Sequence, residues 1–232
     1  ARVHNDPEFE SYGKNEWAGA EAMIEKGVPG YGLFEHKLAV SGWALYDSRN
    51  KIHSPLVTVG ETKEEQEKHL SDPYALTEIM KSAAKFFGAS LVGVTKIDQR
   101  WIYKVNRQGE PYDIPESIQY AIVMAVEMDP LAIGTSPEGP AAAATGLGYS
   151  KMTFIASCMA EFIRNLGYTA VPAGNDTGLS VPLAIDAGLG QLGRNGLLIT
   201  PEYGPRVRLF KVFTDLPLLT DRPVDFGVTE FC

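Results

Sequence analysis

From residue 72 onward the hydrophobic positions of this chain fall into regular periods; before it they do not. Leu76, Ile79, Met80, Ala83 and Phe87 recur at helical spacing, with Asp72 placed to cap, Pro73 at the first helical position and Gly88 as a stop. ASLVGVTKI then reads as a buried strand, residues 99–115 as an irregular excursion between elements, and AIVMAVEM at 121–128 as a second strand. A Gly/Ala/Pro stretch at 134–148 separates it from a long amphipathic helix. That helix is marked by Met152, Ile155, Met159, Phe162, Ile163 and Leu166, starts with Ser150 as cap and ends at Gly167. YTAVPA is a short strand, Ser180 is placed to cap a short helix over VPLAIDAG, and GLLIT and RVRLFKVFT read as two more strands. Alternating strands and helices predict an α/β or mixed α+β fold.

The first 70 residues carry Gly, Glu and scattered aromatics without sustained periodicity. Trp17, Tyr31, Phe34, Trp43 and Tyr46 there read as an extended arm packing on the body, or as walls of an apolar pocket. With 232 residues, 44% hydrophobic and 22% charged, the chain has an ordinary globular composition and the length for one large domain, or one domain with an arm. Its apolar runs are strand-sized, short of the roughly 18 residues of a membrane span. A net charge of −8 speaks against nucleic acid as a partner. Cys158 sits in an apolar helical pattern as a core residue, and it and Cys232 make no disulfide framework. His4, His36, His53 and His69 show no ligand spacing, so no zinc site is expected. No signal peptide is visible at Ala1, and a mature chain would have lost one.

Several motifs bear on chemistry. Gly188, Gly190 and Gly193 spell the dinucleotide fingerprint G-x-G-x-x-G, but a helix-like segment precedes it and a strand follows, the reverse of what pyrophosphate binding needs. The glycines read instead as a tight turn, or as a close approach of backbone to something flat or bulky. TGLGYSKM at 145–152 delivers Tyr149 at the mouth of a helix, as a packing residue with a bonded hydroxyl on local pattern alone. PAGNDTGLSVP at 172–182 is a loop after a strand, where sites often form, although Asn175 and Asp176 also read as turn and cap residues. Arg206 and Arg208 alternate and are expected on one face.

Taken jointly, GLGYSKM, the run AEFIRNLGYTAVPAGNDTGLSVPLAIDAGLGQLGRNGLLITPEYGPRVRLFKVFTDLPL, and DFGVTEFC closely resemble the corrinoid-dependent respiratory reductive dehalogenases. The resemblance runs nearly unbroken over 145–232, is weaker over 72–130 and thin in the first 70 residues. It implies an N-terminal unit at 1–71 and a nitroreductase-like cobalamin-binding domain at 72–226, with 99–115 as an insertion. An iron–sulfur segment would begin at 227–232, with Cys232 the first ligand of a CxxCxxCxxxCP run and two 4Fe–4S clusters in the full-length protein. By position, Tyr149 matches the family's proton-donating tyrosine, Asn175 a pocket asparagine and Arg208 the arginine beside the tyrosine, with Arg206 two residues away as the alternative. Thr145 and Leu209 would line the pocket; Ser150, Met152, Ser180, Gly188 and Gly190 would touch the corrin. Trp17, Tyr31, Phe34, Trp43 and Trp101 would shape the pocket.

The roles are chemically coherent. Reductive dehalogenation, R–X + 2e⁻ + H⁺ → R–H + X⁻, needs electrons, a proton and room for halide. A free tyrosine is a poor acid at neutral pH, and a neighbouring cation favours the phenolate left after proton transfer. The resemblance also implies a small organohalide substrate, a small membrane anchor protein and a possible homodimer as partners. Folded twin-arginine export would place the protein peripherally on the outer face of the cytoplasmic membrane. The sequence lacks an Asp-x-His-x-x-Gly cobalamin motif, which weakens a mutase or methyltransferase reading. The alternatives are an epoxyqueuosine reductase-like cobalamin enzyme, a non-catalytic cobalamin-binding module and a flavin reductase.

Overall fold

The computed structural model describes residues 22–29, 72–106, 109, 111–112, 114–115 and 117–231. The arm aromatics Trp17, Tyr31, Phe34, Trp43 and Tyr46, and the cluster ligand expected at Cys232, lie outside the described residues. The first long element is α1, Pro73–Phe86: Asp72 accepts a hydrogen bond from the Tyr74 amide, Pro73 opens the first turn, and Gly88 leaves with φ of +111°. Its buried stripe is Leu76, Thr77, Met80 and Ala84, while Ile79 is exposed.

Four strands form one antiparallel sheet in the order β1, β2, β6, β3: β1 Leu91–Lys96, β2 Tyr120–Glu127, β3 Ala170–Ala173 and β6 Val207–Thr214. Between them come α2 Pro130–Ile133, α3 Gly139–Asn165 and α4 Ser180–Asp186, then a small hairpin of β4 Gln191–Leu192 and β5 Leu198–Ile199; α5 Val228–Phe231 comes last. The alternation of strands and helices therefore gives an α+β architecture. Because side chains alternate along each strand, the sheet has two apolar faces. Val94, Ile122, Met124, Val126, Phe210 and Val212 pack with α1 and α3. Ala121, Val123, Ala125, Leu209 and Phe213 pack with α4 and its following turn.

The expected helix from Ser150 is longer than its period suggests. α3 starts at Gly139, so Tyr149 and Ser150 lie in its interior and Ser150 caps nothing. Pro140 falls in the first turn, where its missing N–H costs no bond, and Ala141–Ala144 are the strongest helix formers. The strand expected over GLLIT shrinks to Leu198–Ile199. Ser180 is the first residue of α4 rather than its cap, which is Leu179 without a side-chain bond.

After β6 the chain crosses to the far edge of the sheet. There Asp221 bonds both backbone groups of Val94: its amide donates to the Val94 carbonyl at 2.8 Å, and its carboxylate accepts the Val94 amide at 2.8 Å. Lys81 of α1 holds the other carboxylate oxygen at 2.6 Å. No helix among the described residues is long and apolar enough to cross a membrane.

Candidate functional site

The N-terminal half of α3 crosses the start of β6. Thr145, Gly148, Tyr149 and Met152, spaced to share one side of a helix, look onto Arg208, which alternation puts on the α3 face of β6. Gly148 makes this crossing possible. A Cβ there would stand 2.8 Å from Arg208 Cγ and 3.5 Å from Met128 Cγ, so the arginine stem occupies the space a side chain would need. Arg208 then reaches along the helix: Nη2 donates to Thr145 Oγ1 at 3.3 Å, Nε approaches Met128 Sδ at 3.2 Å, and the guanidinium carbon lies 5.0 Å from the centroid of the Tyr149 ring.

The phenol's partner comes from the loop after β3. Asn175 Nδ2 donates to Tyr149 Oη at 3.0 Å, and Ser180 Oγ donates to Asn175 Oδ1 at 3.1 Å. Tyr149 and Arg208 are half-buried and Asn175 is exposed, so the polar cluster opens outward. In its bond with Asn175 the phenol oxygen is the acceptor, which directs the hydroxyl proton away from the amide.

The loop carrying Asn175 is held from both sides. The excursion at 99–115 folds against it: the Leu179 amide donates to the Trp101 carbonyl at 2.8 Å, the Tyr103 amide to the Thr177 carbonyl at 3.1 Å, and the Tyr112 hydroxyl to the Asp176 carbonyl. From the sheet comes Lys211, a residue that sequence reasoning passed over. It is fully buried on the α4 face of β6, and its ammonium donates to the carbonyls of Gly174 and Gly178 (2.7 Å to the latter) and to Ser180 Oγ at 3.1 Å. Burial pulls its pKa down to about 7, with the charge of Asp176 acting in the other direction.

Of the residues singled out in the sequence, the structure brings together Tyr149, Asn175, Arg208, Thr145, Met152 and Ser180. Met152 is buried, and a Cβ on Gly174 would meet its terminal methyl at 2.9 Å. Ser150 is buried within α3. Leu209 is separated from this group: it follows Arg208 by one residue and so faces the α4 side of the sheet, away from Thr145. Trp101 packs on that same side. Arg206 precedes the strand and does not share the environment of Arg208; it pairs with Glu127 at 2.7 Å and donates to the Met128 carbonyl at 3.0 Å. Gly188 and Gly190 do make a close backbone approach, and it is to their own chain: a Cβ would meet the Arg222 carbonyl at 2.6 Å and the Ile199 carbonyl at 2.1 Å. α4 precedes the three glycines and the β4–β5 hairpin follows, so the fingerprint lacks its strand-to-helix context. Cys158 is half-buried, and desolvation pushes its thiol pKa up, as suits a packing residue. Among the described residues no group of three or more His, Cys, Asp or Glu is arranged to hold a metal.

A family model described as a reductive dehalogenase subunit matches residues 77–218. A tetrachloroethene reductive dehalogenase of Desulfitobacterium hafniense is 41% identical over 195 residues, which cover 67% of this chain and 35% of that protein. The tetrachloroethene reductive dehalogenase of Sulfurospirillum multivorans is 39% identical over 192 residues, covering 70% of this chain and 38% of that protein. A solved reductive dehalogenase structure, described as suggesting a mechanism for B12-dependent dehalogenation, superposes with a TM-score of 0.69 at 27% identity over 84% of this chain and 28% of that one. The chain thus spans a little over a third of the length of the curated relatives it matches.

Proposed function

The chain belongs to the reductive dehalogenase family, and from that premise we propose that it forms the proton-delivering part of a cobalamin-dependent organohalide reductase. The observation that carries the reading is the convergence of three side chains from separate elements: Tyr149 from α3, Asn175 from the β3–α4 loop and Arg208 from β6. Tyr149 is the proton donor to the carbon from which halide departs. Asn175 orients its hydroxyl, and Arg208 and Asn175 together stabilise the negative charge on the oxygen after transfer.

The residues present fit a bulky cofactor on this side of the sheet. Tyr149 and Arg208 are half-buried and Asn175 exposed, with Met128 beside the Arg208 guanidinium and Met152 beside Gly174. Thr145, Asn175 and the backbone from Gly174 to Ser180 would hold it. When bound, cobalamin supplies the two electrons of R–X + 2e⁻ + H⁺ → R–H + X⁻ through its cobalt. The same reading carries Cys232 as the first ligand of an iron–sulfur segment. It also carries a small organohalide substrate, a small membrane anchor protein as partner, and a place on the outer face of the cytoplasmic membrane.

The test uses the full-length, cofactor-loaded protein, with chloride release from tetrachloroethene, the compound its relatives are named for, and from a wider halocarbon panel. Tyr149→Phe should retain cobalamin yet lose turnover by about 10²-fold or more. Wild-type-like release by that variant would sink the role of Tyr149.

A further inference from the structure

Lys211 is absent from the mechanism above, yet it is the most thoroughly buried cation among the described residues, with 0% exposure. A buried ammonium requires partners for its three protons, and here it has three acceptors: the carbonyls of Gly174 and Gly178 and the hydroxyl of Ser180. Those three atoms bracket the loop that carries Asn175. Gly174 lies immediately before the asparagine, while Gly178 and Ser180 lie at the loop's return into α4. A side chain from the α4 face of the sheet thus gathers both ends of a loop whose middle acts on the α3 face.

The third bond has a further effect. Ser180 has one hydroxyl proton. Because Lys211 occupies the oxygen as a donor, that proton is directed to Asn175 Oδ1, 3.1 Å away. With its oxygen engaged, the Asn175 amide presents its NH₂ to Tyr149 Oη at 3.0 Å. If the amide were reversed, its NH₂ and the Ser180 hydroxyl would oppose each other as two donors at one end, and its carbonyl would take the Tyr149 hydroxyl proton at the other. The hydrogen-bond polarity therefore runs without a break from Lys211 through Ser180 and Asn175 to the phenol.

We propose that Lys211 is a positioning residue for proton delivery: by tying Gly174, Gly178 and Ser180 together it fixes the place and the amide orientation of Asn175 at Tyr149. This rests on the reading of Tyr149 as proton donor. It extends the site to a residue that touches neither substrate nor cofactor.

The experiment compares wild type, Lys211→Met, Lys211→Arg and Ser180→Ala in the full-length, cofactor-loaded protein. Each is examined by steady-state halide release and by hydrogen exchange of the backbone amides. In Lys211→Met, exchange at residues 174–180 should quicken about tenfold or more while α3 and β2 keep their protection. kcat should fall about tenfold with KM little changed, because a loosened orienting group is felt in the chemical step. Lys211→Arg, which keeps donors at the same place, should recover part of both. Ser180→Ala should lower kcat without quickening exchange, and it decides the question if Lys211→Met does not fold.

Unchanged kcat in Lys211→Met or in Ser180→Ala overturns the proposal, as does exchange that quickens throughout the domain. The Tyr149→Phe background separates this from the underlying reading. If Tyr149→Phe alone turns over like wild type, the proton-donor role has failed. If Tyr149→Phe is impaired but Lys211→Met still lowers kcat tenfold on top of it, the donor role stands and the positioning role of Lys211 falls.

Discussion

Gly148→Ala isolates the crossing of α3 and β6. In an ordinary helix interior this substitution stabilises by about 1 kcal/mol, since alanine gives up less backbone entropy. Here the new methyl would stand 2.8 Å from Arg208 Cγ, closer than a Cβ tolerates, and the contact is to the middle of the side chain rather than its free end. Overpacking of this kind costs about 1–3 kcal/mol, so the variant should be level with wild type or up to about 2 kcal/mol less stable. The arginine escapes by swinging off the Tyr149 ring, where its guanidinium carbon now lies 5.0 Å from the centroid. If Arg208 stabilises the phenolate as proposed, its displacement should lower turnover by about 10²-fold. The sign changes with background. In Arg208→Ala only the β-carbon remains, 3.6 Å from the new methyl and in ordinary contact, so Gly148→Ala should there stabilise by its intrinsic ~1 kcal/mol. Denaturant unfolding of the four proteins gives the coupling, expected at about 1–3 kcal/mol. Chloride release from the full-length enzyme gives the functional arm. A stabilisation of ~1 kcal/mol in both backgrounds, with turnover intact, would refute the claim that Gly148 makes room for the arginine.

Three other perturbations follow from the geometry. Arg206→Ala removes a partly exposed pair with Glu127 and should cost no more than about 1 kcal/mol in denaturant unfolding while turnover stays within about twofold, in contrast to Arg208→Ala. Gly93→Ala would set a methyl 2.1 Å from the Ala187 carbonyl and 2.7 Å from Leu189 Cδ1, and should destabilise by about 3 kcal/mol or more through the β1–α4 contact, read as a lowered denaturation midpoint. Lys211 gives a pH effect of defined sign. Its folded pKa, about 7, lies below the unfolded value of 10.5, so the unfolded chain binds more protons between them and stability rises with pH across that window. Relative to Lys211→Met, wild type should therefore gain about 2 kcal/mol between pH 7 and pH 9 in denaturant unfolding; a flat difference would place the folded pKa elsewhere.

What the sequence disclosed and what it hid divide along physical lines. α1 was legible because its signals are local: Asp72, Pro73 and Gly88 sit where a cap, a first turn and a stop belong. The start of α3 was not, because glycine and proline mark breaks in isolation, whereas Pro140 in a first turn followed by four alanines extends a helix. The two arginines looked equivalent by alternation. Their difference arises from where the strand begins, at Val207, and from the space that Gly148 leaves. Lys211 was the hardest to see. No motif marks the single lysine in VRLFKVFT, and the carbonyls that receive it belong to a loop over thirty residues upstream. The convergence of Tyr149, Asn175 and Arg208 was reached through family resemblance, since no spacing rule links positions on a helix, a loop and a strand.

The clasp at Val94 also bears on how the protein behaves in a crowded solution. β1 is a boundary strand of the sheet, and such a strand offers a row of backbone donors and acceptors on which another chain can template itself. Asp221 fills the middle of that row with a backbone bond and a carboxylate bond, and Lys81 sets a charge beside it. An incoming strand would have to break all three contacts before it could add its first rung. The segment after β6 therefore covers the backbone groups through which this strand edge would otherwise pair with another strand.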